Sequence, residues 1–340
     1  MKTNFTLCLV FAIGLLTLSS CKQKQYFFNE GVAFGTTYHI TYKATEDLQK
    51  ELEAEMDHFN RSLSTYTDSS TISRFNQSGT EAFDLSNDPW MLKMVQASLH
   101  FSELSNGAFD ITVAPLVDLW GFGPKAKSDP TQAKIDSIKG FVGYKLLRLE
   151  KDHLTKLDPR IQLDCGAIAG GYASDIIAEA LQKHGVDDYM VEIGGEVILK
   201  GKNPKGAIWR IGINKPVDDS TSTNNDIERV LVLTDKALST SGNYRSFYVK
   251  DGKKYAHTID PHTGYPVQHS LLSATILAND CFTADALATA CMVLGVDAGL
   301  KLIDSLHNQG VEAFFIYNEG GPENKIKYTK GFEAYLEKNR

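Results

Sequence analysis

The middle of the chain is rich in β-strands that follow one another without intervening helices. Parallel strands need a crossover of a dozen or more residues, usually a helix, and this region lacks such a βαβ rhythm. Asp251 and Gly252 stand between two β-prone runs and predict a two-residue hairpin. An α+β fold with largely antiparallel sheets and packed helices is therefore predicted. The predicted strands of this region are residues 189–193, 207–213, 229–233 and 246–250.

Apolar residues at helical spacing predict the helices that pack on these sheets. Asp88 is expected to cap one helix with Pro89 at its first position, and Thr283 is expected to cap another. Further strands are predicted at residues 36–43 and 271–278, and a hairpin is predicted from 311–317 and 325–328. The predicted helices are residues 46–63, 88–105, 171 to a stop at 185, 283–294 and 297–307.

The N-terminal residues have the features of an export signal. Lys2 precedes an apolar run from Phe5 to Leu18, which is short for a permanent membrane span and typical of a signal peptide. Small residues and then Cys21 follow, as in the lipobox of bacterial lipoproteins; the alternative is an ordinary signal peptide in which Cys21 is incidental. We predict a signal peptide at 1–20, a lipidated N-terminus and tether at 21–28, and one folded domain at 29–340.

Lipidation at Cys21 would decide where the protein resides. Several acyl chains, palmitate among them, anchor a protein stably, whereas one chain is marginal. The expected location is therefore outside the cytoplasm, with the protein held on a membrane and facing the periplasm. Residues 1–20 contain Lys2 and no acidic residue, so their removal changes the formal net charge from −7 to −8. No basic block stands out, which argues against a nucleic-acid partner.

The remaining cysteines indicate neither a disulfide framework nor a zinc site. Beyond Cys8 and Cys21 the chain has Cys165, Cys281 and Cys291. Their odd number and unpaired spacing do not fit paired disulfides, and no Cys/His cluster of zinc type accompanies them. We expect them to be small buried hydrophobic residues.

Two segments combine polar, glycine and aromatic residues beyond what a core requires. Residues 64–76 follow a predicted helix and are most simply a hydrophilic loop, with Asp68 or Ser69 capping a short helix. Residues 107–112 and 115–123 set aromatic side chains among glycines. Such side chains can offer a flat apolar surface to a ring system, or they can pack beneath a loop, and their spacing favours neither interpretation.

Two other segments could contact phosphate or a metal ion. Residues 163–172 are small and open a helix, where free N–H groups can bind phosphate, although a tight strand-to-helix turn has the same pattern. Asp285 and Thr289 are four residues apart on one face of a helix and offer two hard oxygen ligands suited to Mg²⁺. The alternative is an Asp favoured by the helix dipole and a Thr that faces a neighbouring helix. Alanines at 284, 286, 288 and 290 allow close approach.

His257 stands at the end of a predicted strand, before Asp260 and Pro261. A histidine in this position can be a general base, or it can be a hydrogen-bonded surface residue, and on its own the surface interpretation is simpler.

Taken in order, these segments resemble the ApbE family, the FAD:protein FMN transferases formerly called thiamine biosynthesis lipoproteins. The resemblance extends from Phe34 to the C-terminal strands, and many family members are exported lipoproteins, which agrees with the lipobox. Each segment alone is weakly specific, but their order is specific. The matching segments are residues 34–38, 64–76, 107–110, 163–169, 192–196, 240–242, 257–261 and 284–289.

The resemblance implies a T-fold-like architecture for residues 29–340 and a phosphoryl-transfer reaction. Family members cleave the FAD pyrophosphate and attach FMN to a Thr or Ser hydroxyl of a target protein through a phosphoester bond, releasing AMP. By position, Asp285, Thr289 and the Ala167 carbonyl would bind Mg²⁺, and His257 would activate the acceptor hydroxyl or orient the phosphates. The implied FAD site consists of Phe34, Tyr66, Ala108, Phe109, Asp110 and Asp164, with Gly170 and Ile259 contacting FAD through backbone atoms.

One position departs from the family pattern, and other functions remain open. Many members have Lys where this chain has Gly170, so one charge near the pyrophosphate is missing. An FAD pyrophosphatase that gives FMN and AMP would use the same metal site. A non-catalytic flavin-binding lipoprotein would not need that site, and an anchored sugar-binding protein would need no Mg²⁺. The acceptors implied by the resemblance are membrane electron-transfer subunits of the Rnf and Nqr type.

Overall fold

The structure is a computed structural model that describes residues 23–123, 130–217, 226–244, 246–250 and 252–338. The predicted signal peptide, Cys21, Asp251 and most of the polar loop at 218–226 lie outside these ranges. Within the ranges, no helix combines the length and apolar character needed to cross a membrane.

The chain forms strands and helices that alternate irregularly along the sequence. The strands are β1 (Gln25–Ala33), β2 (Thr36–Ala44), β3 (Phe83–Asp84), β4 (Leu147–Glu150), β5 (His153–Lys156), β6 (Tyr189–Ile193), β7 (Glu196–Lys200), β8 (Trp209–Asn214), β9 (Ile227–Leu233), β10 (Lys236–Gly242), β11 (Phe247–Lys250), β12 (Lys253–Ala256), β13 (Leu271–Ala278), β14 (Glu312–Tyr317) and β15 (Lys325–Tyr328). The helices are α1 (Gln49–Leu63), α2 (Thr71–Gln77), α3 (Pro89–Leu104), α4 (Ala114–Trp120), α5 (Gln132–Lys139), α6 (Ala169–Lys183), α7 (Cys281–Leu294) and α8 (Val296–Ser305).

The largest sheet in the described chain has eight strands in the order β1-β2-β6-β7-β10-β13-β14-β15. Neighbouring strands of this sheet are antiparallel, as they are in the smaller sheets β3-β5-β4, β8-β9 and β11-β12. The predicted α+β architecture with largely antiparallel sheets is therefore confirmed.

Alternate residues of the large sheet point into two separate cores. One face packs on helices α6, α7 and α8 in the main hydrophobic core, and α1 and α3 pack on α6 and α7 in turn. Leu238 and Leu277 point to the other face, where they join Trp209 of β8 and Phe332. Ser239 and Ser241 of β10 contact α7 on the first face. The sheet thus carries polar side chains on its helical face at β10, where a site can form.

Several predicted elements are confirmed. Strand β13 has the predicted bounds, and β14 pairs with β15 as the expected hairpin. Asp88 caps α3 by accepting a 3.0 Å hydrogen bond from the Met91 amide, with Pro89 as the first residue of the helix. Strands β11 and β12 pair with Lys250 opposite Lys253, as expected for a turn at residues 251–252.

Other predictions about helix ends and connections were wrong in detail. Helix α7 begins at Cys281, and its cap is Asp280, whose carboxylate accepts a 2.7 Å hydrogen bond from the Thr283 amide. The predicted cap Thr283 therefore lies inside the helix, because a carboxylate three residues upstream satisfies its N–H. Ser70, rather than Asp68 or Ser69, caps α2.

The predicted tether is shorter than expected. Residues 25–28 belong to β1 and pair with residues 41–44 of β2. Pairing with β2 satisfies backbone N–H and C=O groups of residues 25–28. The local sequence of these residues does not show that they have a partner strand. Strand β10 was also missed, because its Ser, Thr and Gly residues are typical of a turn. Cys165, Cys281 and Cys291 are buried free thiols, as predicted.

Candidate active site

Helices α6 and α7 approach each other closely at Gly171. A Cβ atom at this position would lie 2.3 Å from the Cys281 carbonyl oxygen and 2.7 Å from the Asp285 Cβ. Glycine is therefore required for the two backbones to meet. This contact brings the start of α6 against the helix that carries Asp285 and Thr289.

Asp285 lies buried at this crossing, with 6% of its surface exposed. Its Oδ2 accepts a 2.9 Å hydrogen bond from the Gly171 amide, and its Oδ1 accepts a 3.2 Å bond from the Ser239 hydroxyl. Burial raises the pKa of the carboxyl, and the hydrogen bonds from Gly171 and Ser239 oppose this shift. A buried carboxylate is costly without a charged partner, so this position favours a bound cation.

Glu196, the first residue of β7, brings a second carboxylate to Asp285. Its pKa is raised, first by burial of the carboxyl and then by the negative charge of Asp285. A Cβ atom at Gly170 would lie 2.9 Å from Glu196 Oε2, so this carboxylate occupies the space where a side chain of residue 170 would begin.

Thr289 and Ala167 complete a set of oxygen atoms one turn from Asp285. The Thr289 hydroxyl lies 3.3 Å from the Ala167 carbonyl oxygen, to which it donates, and 3.4 Å from the Ser241 hydroxyl. Carboxylate, hydroxyl and carbonyl oxygens are hard ligands of the kind that Mg²⁺ prefers. The structure therefore places the three predicted metal ligands along the contact between α7 and the segment that begins α6, and their chemistry fits this ion.

Residues 163–167, which end in Ala167, are held in place by hydrogen bonds from Asn76 of α2. Asn76 forms two hydrogen bonds with the Leu163 backbone, donating to its carbonyl at 3.0 Å and accepting from its amide at 2.7 Å. The fully buried Lys156 donates to the carbonyls of Phe75, Asn76 and Ile161 at 3.1–3.2 Å. These contacts hold the backbone on which Asp164 and Ala167 lie.

Asp110 and Asp164 lie in two segments joined by a backbone hydrogen bond. The Asp164 amide donates to the Ile111 carbonyl at 2.8 Å. The Asp110 carboxylate accepts from the Thr112 amide and hydroxyl and from the Tyr144 amide, at 2.6–2.8 Å. Burial raises the pKa of both carboxyls. Asp110 therefore shapes its own loop, in which Ala108 and Phe109 are buried.

Phe34 and Tyr66 supply aromatic rings at two turns. Phe34, at the turn between β1 and β2, has a φ of 56° and packs edge-on against Phe59 at 5.2 Å between ring centroids. Tyr66 is 79% exposed in the connection between α1 and α2. An exposed tyrosine ring is available to a planar ligand.

His257 follows β12 and is held by one carbonyl. Its Nδ1 lies 3.2 Å from the Ser246 oxygen, and because a carbonyl only accepts, Nδ1 carries the proton and Nε2 the free lone pair. Crowding by protein atoms lowers the pKa of this imidazole, although part of the residue faces solvent. Within the described residues, its hydrogen bonds do not reach Asp285 or Thr289. Ile259 is buried two residues later and bridges to Pro266.

The model of the ApbE family matches residues 34–315. The chain belongs to the ApbE family. It is 38% identical to the FAD:protein FMN transferase of Vibrio cholerae over 87% of this chain and 90% of that protein. It is 37% identical to the enzyme of the same name from Haemophilus influenzae, over 85% and 87% of the two chains. The solved structure of the flavin transferase ApbE from Vibrio cholerae superimposes with a TM-score of 0.82 at 36% identity, covering 92% of this chain and all of that one.

Within this member of the ApbE family, sequence reasoning assigned no site role to Gly171, Ser239 or Glu196. Gly171 and Ser239 hydrogen-bond to Asp285, and Glu196 lies beside Gly170 at the start of α6. Each of these contacts joins residues that are far apart in the sequence. Gly171 lies in the small-residue segment 163–172 and Glu196 in the matching segment 192–196. Their positions in these segments are the sequence features that could have pointed to them. Ser239 alternates with the core residue Leu238 on β10, a pattern recognisable only once β10 is known to be a central strand.

Proposed function

We propose that this chain transfers the FMN half of FAD to a Thr or Ser hydroxyl of another protein, in an Mg²⁺-dependent reaction that releases AMP. The observation that carries the proposal is that Asp285 and Thr289 of α7 both hydrogen-bond to the segment that begins α6, Asp285 to the Gly171 amide and Thr289 to the Ala167 carbonyl. The transferases named above, which share 37–38% of their residues with this chain, support the same reaction.

Asp285, Thr289 and Ala167 would hold the metal ion through one oxygen each. When bound, Mg²⁺ supplies positive charge that stabilises the phosphate oxygens during transfer. The Gly171 amide and the Ser239 hydroxyl orient the Asp285 carboxylate for this task. Outer partners of this kind fix the direction of a ligand before the metal arrives.

The flavin would lie against the rings of Phe34 and Tyr66 and against the two segments that carry Asp110 and Asp164. Tyr66 and Phe34 offer ring faces or edges, whereas Phe109 and Ile259 are buried and would contact FAD mainly through backbone atoms. The Asp164 amide bonds to the Ile111 carbonyl, and Asp164 precedes Ala167 by three residues in the chain. Gly170 would contribute its amide at the start of α6, where free N–H groups favour phosphate.

His257 would serve as the base for the acceptor hydroxyl. Its Nε2 takes the hydroxyl proton, the acceptor oxygen bonds to the FMN phosphorus, and the bond between that phosphorus and the bridging oxygen breaks, so that AMP leaves with that oxygen. The Ser246 carbonyl supports this role, because it holds the proton on Nδ1 and leaves Nε2 unprotonated.

A gel assay for covalent flavin fluorescence tests the proposal. Residues 22–340 are mixed with FAD, Mg²⁺ and a flavin-accepting domain that carries a target threonine. A fluorescent acceptor band that requires Mg²⁺ and is lost in Asp285→Ala is expected. AMP and free FMN without a band would instead identify a pyrophosphatase, and bound FAD without either product would identify a flavin-binding protein.

We also propose that the protein is lipidated on Cys21 and held on a membrane, facing the periplasm, where its acceptors would be electron-transfer subunits of the Rnf and Nqr type. The apolar run from Phe5 to Leu18, followed by small residues and Cys21, supports the anchor. Cell fractionation tests it: the wild-type protein should sediment with membranes and Cys21→Ser should not. Equal membrane association of both would contradict lipid anchoring at this residue.

A further inference from the structure

Asp175 lies at the middle of α6, and its carboxylate hydrogen-bonds to the first turn of α7. Its Oδ1 accepts a hydrogen bond from the Cys281 amide and its Oδ2 accepts one from the Phe282 amide, both at 2.8 Å. The residue is 7% exposed. An acidic residue is rarely so buried unless its charge is satisfied, and these two amides belong to a helix N-terminus, where they have no acceptor within the helix.

The end of α7 is already capped by a different residue. Asp280 accepts from the Thr283 amide at 2.7 Å, as an ordinary cap does. Asp175 is therefore not the local cap of α7. It connects this end to α6, more than one hundred positions earlier in the chain.

The contact at Asp175 is one of three that recur every four residues along the α6–α7 crossing. Positions four residues apart lie on one face of a helix, about 6 Å apart along its axis. Residue numbers rise along one side of the crossing as they fall along the other, so the two segments run in opposite directions. The pairs are Ala167 with Thr289, Gly171 with Asp285, and Asp175 with Cys281.

These contacts do not contribute equally to the position of α7. The bond between Thr289 and Ala167 is long at 3.3 Å and joins two metal ligands, which would turn to the ion once it binds. The bond from Gly171 reaches the third ligand, Asp285. Asp175 is the one member of the series that uses two charged hydrogen bonds and includes no metal ligand. Hydrogen bonds to a carboxylate are shorter and stronger than those between neutral groups.

We propose that Asp175 is a positioning residue that fixes the axial position of α7 against α6, so that Asp285 and Thr289 face the Ala167 carbonyl before the metal binds. This inference rests on the proposed function only for the identity of the three metal ligands. A metal site with ligands on two separate segments needs such a fixed register, because a shift of one helix separates the ligands.

The test measures metal binding without FAD or acceptor. Mn²⁺ prefers the same oxygen ligands as Mg²⁺, and its free concentration is measured by electron paramagnetic resonance. In Asp175→Asn, one of the two amides faces an NH₂ group that cannot accept, so we expect Mn²⁺ affinity to fall by about ten-fold or more, the factor that one hydrogen bond to a charged group contributes to an equilibrium. The titration is run at about pH 8, where the wild-type carboxyl, whose pKa burial raises to about 7, is ionised.

Asp280→Asn is the matched control. It removes one negative charge from the same end of α7 but keeps the cap, because Asn caps as well as Asp. Its Mn²⁺ affinity should stay within about two-fold of wild type, since the Asp175 contacts remain. Unchanged Mn²⁺ affinity in Asp175→Asn, together with lower thermal stability, would reduce Asp175 to a structural role and overturn the proposal.

A second measurement needs no variant and applies if Asp175→Asn does not fold. Hydrogen exchange of the peptide that covers residues 279–286 is followed in the wild-type protein with and without Mg²⁺. Slow exchange already without Mg²⁺ is expected, because Asp175 holds these amides. Fast exchange that slows only with Mg²⁺ would mean that the metal sets the register, which overturns the proposal.

The same titration separates this inference from the metal assignment. Wild-type protein that binds Mn²⁺ no better than Asp285→Ala would show that the ligand set is wrong, and both proposals would fall. Wild-type binding that Asp285→Ala abolishes and Asp175→Asn leaves intact would overturn the role of Asp175 alone.

Discussion

The Gly171 amide donates a 2.9 Å hydrogen bond to Asp285 Oδ2, at a close approach between α6 and α7. This hydrogen bond requires glycine at position 171, because a Cβ there would overlap the Cys281 carbonyl and approach the Asp285 Cβ. The position of the buried carboxylate is thus determined by a missing side chain on a different helix.

Replacement of Gly171 by Ala should damage both stability and transfer. Alanine favours a helix by about 1 kcal/mol over glycine, but here the added methyl group meets a backbone carbonyl that cannot move alone. We expect a net loss of about 1–3 kcal/mol in the free energy of unfolding, measured by urea denaturation, and reduced flavin transfer. Gly321→Ala is the control, since no atom lies within 4 Å of that site. Wild-type activity in Gly171→Ala would refute the close approach.

Loss of the Thr289 hydroxyl should weaken metal use without removing bulk. Thr289→Val keeps the shape of the side chain but cannot coordinate through oxygen. The Mg²⁺ concentration that gives half-maximal transfer should rise by about ten-fold or more, and excess Mg²⁺ should restore part of the rate. Thr289→Ser retains the hydroxyl and should need far less Mg²⁺ than the valine variant. Identical Mg²⁺ curves for wild type and Thr289→Val would exclude Thr289 as a ligand.

Transfer should require the neutral form of His257. Crowding by protein atoms lowers its pKa below 6.5, and the hydrogen bond to the Ser246 carbonyl opposes this shift only in part. The rate should therefore hold steady through neutral pH and fall only below pH 6.5, as the imidazole becomes protonated. His257→Ala should be slower by about a hundred-fold or more and lose this acid limb. His100→Ala, at an exposed histidine of α3, should behave as wild type. An unchanged acid limb in His257→Ala would assign it to another group.

Asp175 should make the protein less stable as the pH rises. Burial raises the pKa of its carboxyl from 3.8 to about 7; the charge of Asp280 adds to the shift, and the Cys281 and Phe282 amides and Lys93 oppose it. Between these values the folded state binds more protons than the unfolded state, so the free energy of unfolding falls with increasing pH. Urea denaturation of metal-free protein across this range should show a shallower decline in Asp175→Asn. Equal slopes would contradict the raised pKa.

The sequence predicted a large part of the fold because many elements are determined by local chemistry. The cap at Asp88, the apolar run that forms β13 and the hairpin of β14 and β15 follow from neighbouring residues alone. The end of α7 did not, because Thr283 and Asp280 are both acceptable caps and only the observed hydrogen bond distinguishes them.

The candidate site likewise has residues that the sequence indicated and features that only the structure showed. Their spacing on one helix made Asp285 and Thr289 candidate ligands, with a helix-dipole interpretation left open. The ApbE resemblance implied the metal role and added Ala167, whose carbonyl oxygen lies 3.3 Å from the Thr289 hydroxyl. Whether Asp285 is buried, which carboxylate lies beside it and what holds α7 against α6 depend on Gly171, Glu196 and Asp175, each far from it in sequence. Local patterns record the periodicity of one helix or strand. Helix crossings and strand order bring distant residues together, so the burial, orientation and pKa of Asp285 were decided only by the tertiary structure.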